Sequence, residues 1–561
     1  MMKSTVKQFQ LVSSALLSLL LIAGCSPTHM SPEDKKLGAQ ATWLMAGQNL
    51  QNTRHQSDEF LINTNNVGEL KVKWALPLPG SILATPAVEG EAIYISDVAG
   101  NLYKINRKTG EILWQREISF YTGIEGDFSR NTPAVTDNSL LLGNQPPCIG
   151  TPMDEPCGNA FLLAVDKETG KLLWKTVIDT IRSAIVTQSA VVDEGLVYVG
   201  VASNQESLAS APDFKCCDFR GKMLSVDAAN GAIMHTYHAT PPTNTGYSGA
   251  AIWSDTAVVD HQRNLLYITT GDNYSVPQKV MDCVKTCQNC SKQQLLKCDK
   301  PDENVFDSIV ALELPTLKFK WAFHGYGYDA FNNACIQGDP SNCPSPAGPD
   351  YDFGQGVALF TAGQGTSAKQ LLGAGEKSGV YYALDPSTGE QVWATKVGPG
   401  GTLGGSEWGS ATDGKRIYVA ISNSLLKPWK IQGSGSNAGK EIHRGLWSAL
   451  DASTGEILWQ TPELYQAQPG NPLNGMGPQA AVTIANGVLF AGSTTPNPSG
   501  KTDDMLALNA ADGKILWKFS SGGTINSGPA VVDGEVYWGN VSSNGDAILY
   551  AFCIRGTADC P

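Results

Sequence analysis

Charge and histidine are scarce in this chain, and the charge it has leans acidic. Of 561 residues 17% are charged and 7 are histidine, with 40 lysines and arginines against 53 aspartates and glutamates. A body this acidic repels phosphate chains, which excludes non-specific nucleic-acid binding. Long apolar runs are missing after Ala23, so no later stretch has the ~20 apolar residues of a membrane-spanning helix. No Cys-x-x-Cys-His occurs, which excludes covalent c-type haem. Neither Gly-x-Ser-x-Gly nor His-Glu-x-x-His occurs, so the common hydrolase readings have no support. What is present is 42% hydrophobic residues and 59 glycines, the composition of a globular chain rich in turns.

The amino terminus carries an address. Lys3 and Lys7 precede an apolar run from Leu11 to Ala23, too short for a mature span and suited to a signal-peptide core. The run ends Leu21-Ile22-Ala23-Gly24-Cys25, the pattern of a bacterial lipobox whose cysteine is lipidated and becomes residue one; a secretory signal with a chance cysteine is the alternative. The expectation is a signal peptide at 1–24, a lipid on Cys25, and an anchor and tether over 25–60. The protein then sits on the periplasmic face of a bacterial membrane, the outer one, held by its lipid alone. Without the leader the balance is 38 basic against 53 acidic residues, a net −15.

The remaining 12 cysteines are even in number and closely spaced, as in an oxidising compartment. Cys148 with Cys157, Cys335 with Cys343, and Cys553 with Cys560 each close a short loop. Cys283, Cys287, Cys290 and Cys298 crowd one stretch with no histidine nearby, which favours two disulfides over zinc. Adjacent Cys216 and Cys217 either bond to each other or pair elsewhere.

At 561 residues an ordinary chain has three or four domains, unless one core is spread over repeats. A repeat is present: a strand ending in Ala-x-Asp or similar, then Thr-Gly, then a tryptophan four residues after the glycine. It reads INRKTGEILW, AVDKETGKLLW, ALDPSTGEQVW, ALDASTGEILW and ALNAADGKILW, ending at Trp114, Trp174, Trp393, Trp459 and Trp517. Two degenerate copies are SVDAANGAIMHTY, without the tryptophan, and ALELPTLKFKW, without the glycine. Each unit has room for four antiparallel strands, with the Thr-Gly in a hairpin turn. The last unit runs out before its fourth strand, while GELKVKWAL around Trp74 is a lone strand of the missing type. Pairing the two closes an all-β, eight-bladed propeller over 61–561 and removes the exposed sheet edges.

This pattern resembles the tryptophan-docking β-propellers of the quinoprotein alcohol dehydrogenases, over almost the whole mature chain. The repeat tryptophans are then core. Long connections near 203–221, 274–305, 324–355 and 423–446 interrupt the rhythm and are suited to building the rim of a site. The resemblance implies pyrroloquinoline quinone, a flat tricarboxylate with an ortho-quinone, which needs cations, an aromatic floor and a metal that polarises its carbonyl. Arg130 in GDFSRNTPAV matches an arginine that pairs with a cofactor carboxylate. Lys377 in GAGEKSGVYYALD matches a cation beside the quinone oxygens. Trp253 in SGAAIWSDTAVVD lies outside the repeat frame and matches the stacking tryptophan. Thr187, followed by Gln188 in VTQSAVV, matches a threonine that hydrogen-bonds the cofactor. For the metal, Glu206 in GVASNQES matches a carboxylate ligand, and Asn273 in ITTGDNYSVP an asparagine ligand, with Asp272 taking its place if the match slips by one. Such hard oxygen donors favour calcium. Singly, each of these also reads as a turn, strand or surface residue.

The departure comes at the catalytic base. Where methanol dehydrogenases have Trp-Asp, GYDAFNNAC puts Phe331 and Asn332, and an amide cannot accept the alcohol proton as a carboxylate does. Asp329 is the nearest carboxylate and the candidate substitute; Ala334 matches calcium-type rather than lanthanide-type enzymes. The polyvinyl alcohol dehydrogenases resemble the chain at the motifs WLMAGQNLQNTR, YTGIEGDFSR, CCDFRG, GDNYS, DAFNNAC, GGSEWGSATDGKRIYVA and SGPAVVDGEVYWGN. That likeness implies oxidation of secondary alcohols, small or polymeric, with pyrroloquinoline quinone and Ca2+, and electrons passed to a separate cytochrome c. The rival expectation is a propeller without cofactor, serving as an outer-membrane assembly scaffold or ligand-binding lipoprotein.

Overall fold

A computed structural model of the chain describes residues 41–150, 157–287, 289–299, 303–465, 477–495, 503–542, 545–555 and 560. The leader and Cys25 lie outside the described residues. Among those described, no helix is long and apolar enough to cross a membrane.

Eight antiparallel sheets follow one another around a ring. Blade 1 spans 87–117, blade 2 134–179, blade 3 184–238, blade 4 258–324, blade 5 358–396, blade 6 404–462 and blade 7 483–519. Blade 8 takes three strands from 530–553 and its outer strand from Lys71–Leu78, which pairs antiparallel with Ala547–Cys553. The ring closes as the unfinished last repeat requires.

Neighbouring blades are joined by one recurring contact. Six tryptophans lie over the turn glycine of the next blade: Trp74 on Gly110, Trp114 on Gly170, Trp174 on Gly231, Trp321 on Gly389, Trp393 on Gly455 and Trp459 on Gly513; Trp517 instead donates to the Leu70 carbonyl (3.2 Å). A Cβ on these glycines would lie between 2.4 Å (Gly513) and 3.0 Å (Gly170) from indole carbons, and all six have positive φ. Only glycine meets both demands. The indole N–H then donates to the next blade's backbone, as from Trp114 to the Lys167 carbonyl (3.2 Å) and from Trp459 to the Ala510 carbonyl (3.0 Å). The two degenerate repeats explain each other. Blade 3 has His235 where the tryptophan is missing, and blade 4, which that tryptophan would meet, has Leu317 at the glycine position with φ 55°. Both halves of the dock are absent at the same interface, where Tyr237 stacks on Phe319 instead (6.5 Å between centroids).

The boundary expected at residue 60 is corrected. The compact body begins at Ala41, and residues 43–56 lace the inner strands instead of forming a tether. Carbonyls of Trp43, Leu44, Leu50, Gln51, Thr53 and Arg54 accept from Val88, Val135, Val259, Leu359, Thr412 and Ile484, one in each of six blades. Arg54 plugs the axis. It is 1% exposed, donates to the Val482 carbonyl (2.9 Å), the Ala46 carbonyl (2.7 Å) and Thr85 Oγ1 (3.1 Å), and stands 4.0 Å from Asp255. These partners are backbone or out-of-frame groups, so no repeat pattern announced them.

The cysteines form disulfides 148–157, 335–343, 553–560, 283–298 and 287–290, and Cys216 bonds to Cys217. All four thiols of the crowded stretch are thereby used, which settles that choice against zinc.

Gly513→Ala is expected to destabilise the ring by about 1–3 kcal/mol, because the added methyl meets Trp459 at a positive φ. Denaturant unfolding measures this, and a loss below about 0.5 kcal/mol would show that the dock yields without cost.

Candidate active site

In each sheet the connections entering the first and third strands and leaving the second and fourth meet on one face of the ring. Arg130, Thr187 and Trp253 lie just before first strands, Glu206, Asp272 and Lys377 just after second strands, and Glu407 and Trp408 before the main first strand of blade 6. These eight residues, with Ala202, Ser203, Tyr274, Asp352 and Leu403 among others, line a cavity of about 310 Å3. That is at the lower end of the ~300–1,000 Å3 typical of small-molecule sites.

Lys377 organises its depth. Its Nζ lies 2.7 Å from Asp350 Oδ1 and 2.9 Å from Asp352 Oδ1, and 5.2 Å from the Trp253 ring centroid. Burial opposes its charge, but Asp350, Asp352, Glu206 and Glu407 more than offset that and raise its pKa above the ordinary lysine value. Trp253 Nε1 donates to Asp352 Oδ2 (2.8 Å), and Thr187 Oγ1 donates to the Trp253 carbonyl (2.9 Å), so the residue is held through its ring and its backbone. Trp408 stands edge-on to Trp253, 82° between planes and 5.4 Å between centroids. Arg130 lies over Trp408 (4.3 Å) with no hydrogen-bond or ion-pair partner among the described residues. Burial lowers its pKa to about 10 despite Glu407. A guanidinium held ready in this way suits an incoming carboxylate.

Opposite these cations is an excess of acid. Carboxylate oxygens of Asp272, Asp350 and Asp352 all lie within 4.8 Å of one another, and Asp272 Oδ2 has no hydrogen-bond partner. Burial, then the charges of Glu206, Asp350 and Asp352, push the Asp272 pKa far up; burial raises Glu206, with Lys377 opposing. Glu407 Oε2 accepts from Gln479 Nε2 (3.1 Å) and its Oε1 has no hydrogen-bond partner among the described residues, its pKa raised by burial to about 7. Buried carboxylates that repel one another stay ionised only if a cation joins them. The donor set is all oxygen, which fits a hard divalent ion.

Arg130, Thr187, Trp253, Glu206, Lys377 and Asp272 therefore meet in one cavity. Asn273 does not reach it: its amide exchanges hydrogen bonds with Asn304 (2.8 and 3.0 Å) and donates to the Ser248 carbonyl (3.2 Å). The slipped choice, Asp272, is the one that faces the cavity. Gln188 is also turned away, accepting from the Gly200 N–H (2.9 Å). Both residues offered for catalysis are loop clamps. Asp329 accepts from the Asp350 N–H (3.0 Å) and the Tyr351 N–H (2.6 Å), and Asn332 donates to the Tyr274 (3.0 Å) and Asn342 (2.9 Å) carbonyls while capping Ala334. Phe331 and Ala334 are buried beside them. The carboxylates that do stand at the centre, Asp350 and Asp352, escaped notice because they follow a proline-rich insertion outside the repeat frame. Glu407, Trp408 and Tyr274 sit in GGSEWGSATDG and GDNYS, motifs that carried the family likeness without a role attached to these side chains.

A family model described as outer membrane protein assembly factor BamB matches residues 68–234 and 443–554. The stretch between, 235–442, carries Trp253, Asp272, Asp350, Asp352, Lys377, Glu407 and Trp408. The chain is 29% identical over 518 residues to the polyvinylalcohol dehydrogenase of Sphingopyxis sp. strain 113P3, covering 88% of this chain and 69% of that one. It is 27% identical to that of a Pseudomonas species, covering 88% and 72%. The crystal structure of the quinohemoprotein alcohol dehydrogenase from Comamonas testosteroni superposes with a TM-score of 0.65 at 18% identity, over 93% of this chain and 82% of that one, and so shares the fold. The relatives support an oxidoreductase, similar over most of its length to enzymes of the quinoprotein alcohol dehydrogenase class. Within that class the chain is related to the polyvinyl alcohol dehydrogenases.

Two predictions follow from the acid-rich face. Asp272→Ala is expected to weaken divalent-cation binding at least about tenfold by calorimetry, since each carboxylate ligand tunes affinity, whereas Asn273→Ala acts first on stability; equal affinity in wild type and Asp272→Ala would remove Asp272 from the ligand set. Away from the cavity, burial raises Glu376 to about 8, Glu463 to about 7 and Asp504 to about 6. For acids with raised folded pKa the folded state binds more protons, so their stabilising protonation is lost as pH rises from about 4 through 8. The melting temperature of cation-free protein is expected to fall across that window; a rise would contradict it.

Proposed function

We propose that the chain oxidises secondary alcohols with pyrroloquinoline quinone and Ca2+, in the manner of the polyvinyl alcohol dehydrogenases, and passes the electrons to a separate cytochrome c. The observation that carries this reading is the cavity, where an unpartnered guanidinium, two indoles and a cluster of carboxylates around one ammonium converge. Its chemistry fits a flat, anionic cofactor seated beside a hard cation. When bound, the quinone accepts the electron pair and hydrogen from the alcohol carbon, and the cation polarises its carbonyl.

The chain's own residues divide the remaining work. Arg130 pairs with a cofactor carboxylate, and Trp253, fixed through Thr187 and Asp352, is the floor. Glu206 and Asp272 hold the cation. Lys377 is kept protonated by its acidic neighbours and offers positive charge to the quinone oxygens. Asp352 is the member of the Lys377 pair that lines the cavity, and it replaces Asp329 as the carboxylate offered to the alcohol proton. Its Oδ2 is committed to the indole and its Oδ1 stands 2.9 Å from Lys377 Nζ, so the lone pair of Oδ1 turned away from the ammonium is the accepting position.

Placement remains as the leader implies: a lipid on Cys25 holds the protein to the periplasmic face of the outer membrane. Cys25→Ser would then leave it in the soluble fraction, and membrane retention of that variant would refute the anchor. A scaffold without cofactor is the second reading, and the match to the assembly-factor family speaks for the ring alone, since that match omits most of the cavity residues.

Reconstitution with pyrroloquinoline quinone and Ca2+, followed by dye reduction with secondary alcohols, tests the proposal; absence of cofactor binding by calorimetry sinks it. Glu206→Ala is expected to abolish calcium-dependent cofactor binding while changing stability by less than about 1 kcal/mol. Asp352→Asn is expected to lower kcat about 10²–10⁴-fold with cofactor retained, and full turnover in that variant would place the base elsewhere.

A further inference from the structure

The cavity is polar at depth and apolar at its mouth. Among its lining residues Leu403 is the one exposed side chain, at 52%, and so marks where the cavity opens. Leu425, 55% exposed, stands beside it: its Cδ1 and Cγ come within 3.3 Å of a Cβ built on Gly401, two residues before Leu403. The surrounding loop, 397–406, reads VGPGGTLGGS and contains no charged residue. Lys427, the next cation along the second loop, turns its Nζ to the Gly400 carbonyl (2.9 Å).

This lip is fixed relative to the chemistry. Gly405, at φ 65°, lies so close to the Lys377 segment that a Cβ there would sit 2.2 Å from the Lys377 carbonyl oxygen. The Leu403 carbonyl accepts from Ser422 Oγ (2.9 Å), and the same loop continues into Glu407 and Trp408. A single exposed leucine needs no explanation, but two at the rim of a charged cavity create an entrance with direction: polar inward, apolar outward. Ionic substrates gain nothing from such a rim, because its loop offers no charge to replace lost water.

We propose that Leu403 and Leu425 form an apolar lip that takes the hydrocarbon substituent of the substrate, selecting secondary alcohols whose carbinol carbon carries an aliphatic chain of several carbons. The proposal rests on the alcohol-oxidising reading above and names the substrate class that reading leaves open. Both leucines act as specificity residues, remote from the proton and electron transfer.

The test uses holoenzyme reconstituted with pyrroloquinoline quinone and Ca2+, an artificial dye acceptor, and the series from 2-butanol to 2-octanol. Each methylene that reaches the lip is expected to lower KM on the order of fourfold, with kcat varying less than about threefold. Leu403→Ser and Leu425→Ser are expected to flatten that dependence to below about twofold per methylene, and Leu403→Met to restore it. A wild type whose KM ignores chain length overturns the proposal while leaving alcohol oxidation standing. Chain-length dependence that survives in the double serine variant overturns it too. So does an effect of the serine variants confined to the KM for cytochrome c when it replaces the dye as acceptor, which would assign the lip to the electron acceptor. A wild-type holoenzyme that oxidises no alcohol fails the underlying reading and the proposal with it.

Discussion

One buried ammonium surrounded by carboxylates sets the terms for everything on the functional face. Lys377 is 7% exposed and touches Asp350 and Asp352, with Glu206 and Glu407 also within electrostatic reach. Lys377, Asp350, Asp352 and Glu407 are buried, so neither these acids nor the lysine can rely on full solvation. The single positive charge cannot neutralise the cluster. Protons can, and the raised pKa values of Asp272, Glu206 and Glu407 describe that state; a cation does it without silencing the carboxylates. Under the proposed function a tricarboxylate cofactor would add still more negative charge, which is why Arg130, over the Trp408 ring and with no ion-pair partner among the described residues, matters as much as the carboxylates proposed to hold the cation.

Such a cluster needs a frame that does not depend on it, and the ring supplies one. Six of the eight blade junctions are secured by an indole resting on a glycine, and the first and last repeats are joined by the strand Lys71–Leu78. The lace over residues 43–56 ties six inner strands from within. None of these contacts uses a cavity side chain. Costly groups at the loop ends of blades 2 to 6 are therefore carried by a scaffold whose own apolar clusters lie between the sheets. Polar substitutions in the cavity can then act on binding and chemistry without first undoing the ring.

Much of this was legible in the residues, and the reasons it was legible mark where reading stops. The Thr-Gly and tryptophan pattern reports a local turn and a nearest-neighbour contact, so repetition alone exposes the fold and even the closing strand around Trp74. The paired defects His235 and Leu317 belong to the same signal, since a missing indole relaxes the demand for glycine in the next blade. Arg130, Thr187, Trp253, Glu206 and Lys377 could be picked out because each stands in a short motif that resembles the quinoprotein alcohol dehydrogenases. Arg54 could not, because its partners are carbonyls from distant blades. Nor could Asp350 and Asp352, which lie beyond an insertion whose path only the folded chain defines. Asp329 misled for the same reason: it is near the expected base in sequence, but its carboxylate is used up on the backbone of residues 350 and 351, where it positions the aspartates that do face the cavity.

The choice between enzyme and scaffold turns on that last contact. A propeller kept only as a docking platform can replace buried charge with apolar side chains and become no less stable. Here the opposite has been built: Asp329, itself buried and raised to about 7, spends both oxygens holding the loop that brings Asp350 and Asp352 against Lys377. Asp352 in turn orients Trp253. One buried acid is thus employed to place two more, and one of those to place an indole. This layered support favours preorganisation of a reacting site over any need of the ring itself, which closes through contacts elsewhere.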